Sequence, residues 1–278
     1  MKKQKRSNKK NSTKNSKMQK PNTKRQPRRD DFEEDGFQLE GRNSILEALN
    51  HNKTIDKIFV KKGEIEGTLK VIVAKALERG IVVQEIDKIR MEQMKRTNNP
   101  QGIIALCPAH EYCDVEDILE NAKKHGEDPF VVILDEITDP HNLGAIIRTA
   151  DAAGAHGVII PKRRAVSLTA IVSKTSAGAL EYVPVARVNN ISKEIEKLKK
   201  QGLWIACADM KGTECFKADL KGSIGIVIGN EGDGVSRLVK ETCDYSVKIP
   251  MYGNIESLNA SVAAGLLMYE VVRQRKFV

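Results

Sequence analysis

Residues 224–239, IGIVIGNEGDGVSRLV, and residues 247–275, VKIPMYGNIESLNASVAAGLLMYEVVRQR, decide how the C-terminal half of this chain folds. In the first, an apolar run without alternation, Ile224 to Ile228, breaks off at Gly229, Asn230 and Glu231, which predicts a buried strand ending in a polar turn. In the second, the shorter run Val247 to Pro250 opens into another polar loop before a long helix. Glycines at 229, 232 and 234 leave main-chain N–H and C=O groups open to a ligand, with no Cβ in the way. A phosphate ligand fits poorly. GNEGDG lacks the Lys-Ser or Lys-Thr that completes a P-loop, and Glu231 and Asp233 would repel phosphates. A dinucleotide fits no better, because its glycines belong on the first strand of a βαβ unit with an acid about 20 residues on. Taken alone, the loop is equally an ordinary strand-to-helix turn with acids near a helix start.

Upstream, the same half alternates strands with helices. FVVILDEI (130–137), GVIIP (157–161), EYVPVARV (181–188) and LWIACAD (203–209) read as strands, with helices expected over 145–153 and 192–201. Apolar strands with helices between them predict an α/β fold whose parallel sheet is covered on both faces. Ligands of such sheets gather at the carboxyl ends of the strands, where all of these polar loops lie. In LDEITDPHNLGAIIRTADAAGAHGVIIP (134–161), Leu143, Ile146, Ile147 and Ala150 form the apolar stripe of a helix that Gly154 would stop. Arg148 falls roughly 150° from that stripe, facing away from the core. Asn142, read as lying just before the helix, is a natural cap. Singly, then, Asn142 and Arg148 have ordinary structural roles.

A smaller α/β unit is expected over residues 37–108, with helices at GRNSILEALN and Thr68 to Arg79 and strands at IDKIFV, IVVQEI and GIIALC. The polar loop from Lys95 to Gln101 carries two positive charges and reads as solvated. Residues 109–128, with a short helix from Val115 to His125, are expected to link this unit to a second domain over 129–278.

The net charge of +9 sits in one place. Residues 1–30 hold 13 Lys or Arg against one Asp, net +12, and the remainder holds 33 basic against 36 acidic residues, net −3. With little beyond two methionines to bury, residues 1–36 are expected to be a disordered basic tail, and so dense a cluster of cations attracts polyanions, nucleic acid above all. No apolar region follows the positive start, so it does not read as a secretory signal. No apolar stretch reaches the length of about 20 residues that a membrane span needs. Cysteines 107, 113, 207, 215 and 243 form no CxxC pair and no ligand-spaced cluster with the five histidines, so reduced thiols of a cytoplasmic protein and no metal site are expected.

Taken together, NLGAIIRTADAAGAHGVII (142–160), IVIGNEGDGVS (226–236) and IPMYGNIESLNASVAAGLLMYE (249–270) resemble, in order, the three motifs of the SpoU, or TrmH-like, RNA ribose 2′-O-methyltransferases of the SPOUT superfamily. GRNSILEAL (41–49) and NNPQGIIAL (98–106) resemble the L30e-like substrate-binding domain of the branch that methylates a guanosine of 23S, large-subunit, ribosomal RNA. The resemblance implies a C-terminal trefoil knot, an exception to the general absence of threaded chains. It also implies S-adenosylmethionine as cofactor, RNA as partner and a homodimer. Carried over by position, Gly229, Ile249 and Leu258, with Asn230, Met251 and Ser257 beside them, are expected to hold the cofactor. Arg148 is expected at the ribose hydroxyl, with Asn142, Glu231, Ser257 and Asn259 as polar partners. A sulfonium cation carries no phosphate, so the acids of GNEGDG cease to be an objection. On the last helix, Ala260, Ala263, Ala264 and Gly265 permit close helix approach beside the stripe Val262, Leu266 and Tyr269. A tRNA ribose, and an RNA-binding assembly factor without activity, remain the alternative readings.

Deleting residues 1–30 should weaken RNA binding and flatten the dependence of log Kd on log salt without moving the modified nucleotide. Filter binding across a salt series checks the first part; a moved modification site would mean that the tail reads sequence.

Overall fold

The computed structural model describes residues 37–63 and 65–277, so the basic tail expected over 1–36 lies outside the described residues. The first unit runs β1 (Phe37–Glu40), α1 (Arg42–Asn50), β2 (Lys57–Lys61), α2 (Thr68–Glu78), β3 (Val82–Ile86), α3 (Lys88–Met94) and β4 (Ile103–Cys107). Its sheet has the order β1-β4-β2-β3, with β2 and β3 parallel and the other pairs antiparallel. Alternation along β4 sorts the two faces. Ile103, Ala105 and Cys107 pack with Ile45 and Leu49 of α1 and Leu69, Ile72 and Ala76 of α2. On the other face Ile104 meets Phe59, Ile86 and the two α3 methionines, Met91 and Met94. The edge strand β1, FQLE, carries too little apolar pattern to be read from sequence; it forms because Phe37 to Glu40 pair with β4.

The helix expected in the connecting segment is α4 (Val115–His125). The Asp114 N–H donates to Asp117 Oδ2 at 2.9 Å at its start, and Gly126, at φ +68°, ends it. Val115 and Ile118 are buried in the core of the following sheet, so this helix covers that sheet. A Cβ on Gly157 would come within 2.6 Å of Ile118 side-chain atoms, which is why a glycine opens the strand beneath.

The second unit continues with β5 (Phe130–Leu134), α5 (Pro140–Ala152), β6 (Gly157–Pro161), α6 (Ala170–Thr175), β7 (Val185–Val188), α7 (Ile191–Lys200), β8 (Trp204–Glu214), β9 (Ile224–Ile228), α8 (Arg237–Thr242), β10 (Tyr245–Lys248) and α9 (Ala260–Phe277). Six strands pair in the order β10-β8-β9-β5-β6-β7, every neighbour parallel, as the apolar runs predict. All five residues of β5 and all five of β9 are buried, because helices cover both faces. Helices α5, α6 and α9 supply core residues to one face and α4, α7 and α8 to the other. The chain starts at β5 in the interior, runs outward to β7 and returns on the far side at β8. Strand order therefore reverses beside β5 and β9, the position where open α/β sheets bind ligands.

The two units meet at a buried ion pair. The Arg187 guanidinium at the end of β7 bonds Asp56, just before β2, and both side chains are almost wholly buried. Arg187 also lies 5.1 Å from the ring centroid of Tyr112, whose hydroxyl accepts a bond from the Leu168 N–H at 3.0 Å. Burial pushes the Asp56 carboxyl up, against the pull of Arg187. Removing one partner strands the other charge, so Arg187→Ala should lower unfolding free energy by about 3 kcal/mol. Replacing both partners, Asp56→Leu with Arg187→Met, should recover most of that loss in urea denaturation.

Candidate active site

The polar turn after β9 is a closed loop. The Asn230 N–H donates to the Gly234 carbonyl at 3.1 Å and the Gly234 N–H returns to Asn230 O at 2.9 Å. This brings the chain back so tightly that a Cβ on Gly229 would lie 2.1 Å from the Gly234 carbonyl carbon. Side chains tie the loop to the end of β5. Asn230 Nδ2 donates to the Glu136 carbonyl at 3.2 Å, and the Ser236 N–H donates to Asp135 Oδ2 at 2.8 Å. Glu231 is held at a fixed place above the carboxyl edge of the sheet.

That place is the junction of three distant segments. Asn142 Nδ2 donates to Glu231 Oε1 at 2.8 Å, and Asn259 Nδ2 donates to Asn142 Oδ1 at 3.0 Å and also to Glu231 Oε1. The first N–H of α9, on Ala260, donates to the same carboxylate oxygen at 3.3 Å. Asn259 Oδ1 in turn accepts from the Ser261 N–H at 3.0 Å and the Ser261 hydroxyl at 2.6 Å, capping α9. Glu231 does favour a helix start, but that of α9 and not of the helix after its own strand.

Asn142 corrects a sequence expectation. Asp139 caps α5, accepting from the His141 N–H at 2.8 Å, and Pro140 is the first helical residue. Asn142 is thus inside the helix, buried, and spends its amide on Glu231 and Asn259. The close packing that holds it there depends on Gly144, where a Cβ would meet Thr175 Cβ of α6 at 2.6 Å. Arg148, six residues further along α5, is exposed and has no hydrogen-bond or ion-pair partner among the described residues. A helix rises about 1.5 Å per residue, so its Cα lies about 9 Å along the axis from that of Asn142. Its long side chain is free to meet a substrate.

Beside the triangle lies a cavity of about 350 Å³ at the carboxyl ends of β8, β9 and β10. Gly229, Asn230, Ile249, Met251, Ser257 and Leu258, the six residues expected to hold a cofactor, all line it, as does Glu231. Asn142, Asn259 and Arg148 stand outside its lining. Sequence reasoning missed one wall, Ala208 to Lys211. Cys207 pairs with Ser246 but Thr213 with Val247, so residues 208–212 swing out of the β8–β10 ladder and bound the cavity. Gly212 lets the excursion return, since a Cβ there would lie 2.5 Å from the Ser246 carbonyl carbon. Asp209, on this wall, is ion-paired with Lys240 of α8. The polar break ADMKG after an apolar strand was a signal of the same kind as GNEGDG.

The walls combine apolar side chains such as Ile228, Leu258 and Leu267 with the carboxylates Asp209, Glu231 and Asp233 and the ammonium groups of Lys211 and Lys248. Such a mixed lining suits a small, partly apolar molecule that carries both charged and polar groups. Among the described residues no group of three or more His, Cys, Asp or Glu is placed to hold a metal ion. Gly229→Ala should cost more than about 2 kcal/mol of stability and abolish ligand binding at this cavity, because backbone blocks the new methyl group. Gly232→Ala, whose Cβ would meet only Asn230 Oδ1 at 3.5 Å, should be tolerated. Thermal melts of the two variants check the contrast.

Comparison with known proteins agrees with this arrangement. Residues 129–269 match the SpoU rRNA methylase family, and residues 38–113 match the family described as RNA 2′-O ribose methyltransferase substrate binding. The Bacillus subtilis protein YacO, assigned to the TrmH family of tRNA/rRNA methyltransferases, is 45% identical over 236 residues, covering 84% of this chain and 94% of YacO. Among solved structures, the SpoU methyltransferase AviRb from Streptomyces viridochromogenes in complex with AdoMet aligns with a TM-score of 0.54 at 27% identity, covering 86% of this chain and 90% of AviRb. An AdoMet-bound rRNA methyltransferase from Sinorhizobium meliloti aligns with a TM-score of 0.53 at 26% identity, covering 85% of this chain and 87% of that one. The parallel sheet, the carboxylate-lined cavity at its carboxyl edge and the preceding small domain thus have one explanation: the chain belongs to the SpoU family of RNA methyltransferases, whose methyl donor is S-adenosylmethionine.

Proposed function

We propose that this protein methylates a ribose 2′-hydroxyl in structured RNA, and that its substrate is a guanosine of 23S rRNA. The observation that carries the reading is the Asn142–Glu231–Asn259 triangle, which joins the cofactor-sized cavity to the helix bearing the exposed Arg148. The small domain, matched to a substrate-binding family, supports an RNA substrate, and the resemblance of GRNSILEAL and NNPQGIIAL to the branch acting on large-subunit rRNA favours that RNA.

S-Adenosylmethionine supplies an activated methyl group on a sulfonium centre. The chain's task is to hold that centre and an RNA hydroxyl in line, which accounts for much of the rate in such transfers. Main-chain groups at Gly229 offer hydrogen bonds to an adenine edge, with Asn230 closing the loop beside it, while Ile249, Met251 and Leu258 wall its faces and Ser257 offers a hydroxyl. Glu231 contributes negative charge compatible with the sulfonium and fixes Asn142 and Asn259. Arg148 stays protonated, since a guanidinium pKa lies above about 12, so it orients the hydroxyl and the adjacent phosphate and stabilises developing negative charge without removing the proton.

The trefoil knot and the homodimer implied by the family resemblance belong to this proposal. Val262, Leu266 and Tyr269, each 50% exposed, form an apolar stripe on α9 suited to a second copy. We place the reaction in the cytoplasm, where its RNA substrates are; no helix among the described residues is long and apolar enough to cross a membrane.

Arg148→Ala should reduce methyl transfer by at least about 100-fold while leaving S-adenosylmethionine affinity within about twofold, since the residue stands outside the cavity. Turnover at the wild-type rate would remove Arg148 from the mechanism. Mapping 2′-O-methyl groups in cells lacking the protein should show one missing from 23S rRNA. A loss from tRNA would instead move the substrate there, and an intact methylation map with no cofactor binding would leave an RNA-binding factor.

A further inference from the structure

The loop between α3 and β4, residues 95–101, has no part in the chemistry above, and its charges alone gave it no role beyond solvation. Its backbone is nevertheless gripped from both sides. Glu40, at the end of β1, accepts from the Arg96 N–H at 2.5 Å, from the Thr97 N–H at 2.9 Å and from the Thr97 hydroxyl. Gln38, two residues earlier on the same strand, donates to Glu40 Oε1 at 2.6 Å and to the Met94 carbonyl at 3.0 Å. At the other end Gln101 Oε1 accepts from the Arg42 N–H, the first of α1, at 3.0 Å, and Arg42 Nε donates to the Gln101 carbonyl at 3.2 Å. Asn99 Oδ1 accepts from the Gln101 N–H at 3.1 Å, holding Gln101 in the left-handed region at φ +53°.

These contacts spend side-chain entropy on a segment that buries little apolar surface. Pro100 is the buried residue of the loop, while Arg96, Thr97, Asn98 and Asn99 are exposed. The Asn98 amide has no hydrogen-bond partner among the described residues. The result is a rigid platform that presents amides beside Arg42 and Arg96. Lys95, at the start of the loop, pairs with Glu92 at 2.6 Å, and that bond, with the charges of Lys88 and Lys61, holds the Glu92 carboxyl low.

We propose that this clamped loop is the surface by which the small domain grips an unpaired segment of RNA. Asn98 meets a base edge, Arg42 and Arg96 meet the phosphates, and Glu40 and Asn99 position the loop. An exposed amide offers the paired donor and acceptor that a base edge requires, and a guanidinium matches a phosphate with two parallel bonds. Sequence in RNA is read where bases are unpaired, which suits a loop with exposed amides. The inference rests on the RNA-methyltransferase reading and locates its substrate contact.

The test compares the full chain with Asn98→Ala, the Arg42→Ala/Arg96→Ala pair, Glu40→Ala and Glu40→Gln. Each is assayed for methyl transfer to, and filter binding of, protein-free rRNA and tRNA from cells lacking the protein, with cofactor affinity as the check on folding. Asn98→Ala should raise KM for RNA about tenfold, the worth of one amide–base contact, with kcat and cofactor affinity within about twofold. The arginine pair should also lower the salt slope of binding by about 2. Glu40→Ala should match Asn98→Ala, and Glu40→Gln, which keeps one acceptor oxygen, should recover part of the loss. RNA affinity within about twofold of wild type for both Asn98→Ala and the arginine pair would overturn the proposal. So would loss of binding to an acidic protein partner with RNA binding unchanged. If the wild-type chain transfers methyl groups to neither RNA, the reading of the reaction falls, and the filter-binding comparison still decides the loop.

Discussion

One carboxylate oxygen, Glu231 Oε1, organises the functional half of this molecule. It accepts from Asn142 on α5, from Asn259 before α9 and from the first N–H of α9. Asn142 is buried, so the bonds around that oxygen are made where unsatisfied polar groups are costly, and each partner constrains the others. Without Glu231 the Asn142 amide would lose an acceptor, the start of α9 would lose a bond, and the wall of the cavity would be free to shift.

The sheet makes this meeting possible. Parallel pairing brings the carboxyl ends of β5 and β9 together, because Leu134 lies opposite Ile228, and the residues that follow each strand are therefore neighbours despite their separation in sequence. Glycines set how closely they approach. Gly229 lets its loop close on Gly234, Gly144 lets α5 lie against α6, and Gly212 lets the β8 excursion pass the backbone of β10. Three separate close approaches thus define one site with the cavity on one side of the triangle and the helix bearing the exposed Arg148 on the other.

The parallel architecture was legible because its strands are apolar on both faces. Runs such as FVVIL and IGIVI leave few other options at that length. The turn at Gly229 to Glu231 was legible because polar and glycine residues end such a run, whereas Ile249, Met251, Ser257 and Leu258 came from the resemblance to the family motifs. Five features were not legible. β1 exists only through its pairing with β4, and the six-residue helices α6 and α8 are too short to show a periodic stripe. The 208–212 wall depends on a register jump against β10, which the polar break ADMKG marks as the end of an apolar run but does not place against β10. Asn142 is the third residue of its helix and not its cap, since Asp139 followed by Pro140 starts the helix three residues sooner than the apolar stripe alone suggests. That difference changes its role from capping a helix to joining three segments. The clamp on residues 95–101 was hidden for the same reason as the triangle: Glu40 and the loop are neighbours only after β1 and β4 pair.

If the triangle is the unit that aligns cofactor and RNA hydroxyl, its members should act together. The most direct measurement is a double-mutant cycle on single-turnover methyl transfer, with Asn142→Ala, Glu231→Ala and the double variant. The expected result is strong non-additivity, a coupling of about 1 kcal/mol or more, because the first substitution already breaks the unit. Effects that add to within about 0.5 kcal/mol would show Asn142 and Glu231 acting independently, and would contradict the triangle as the organising element of the site.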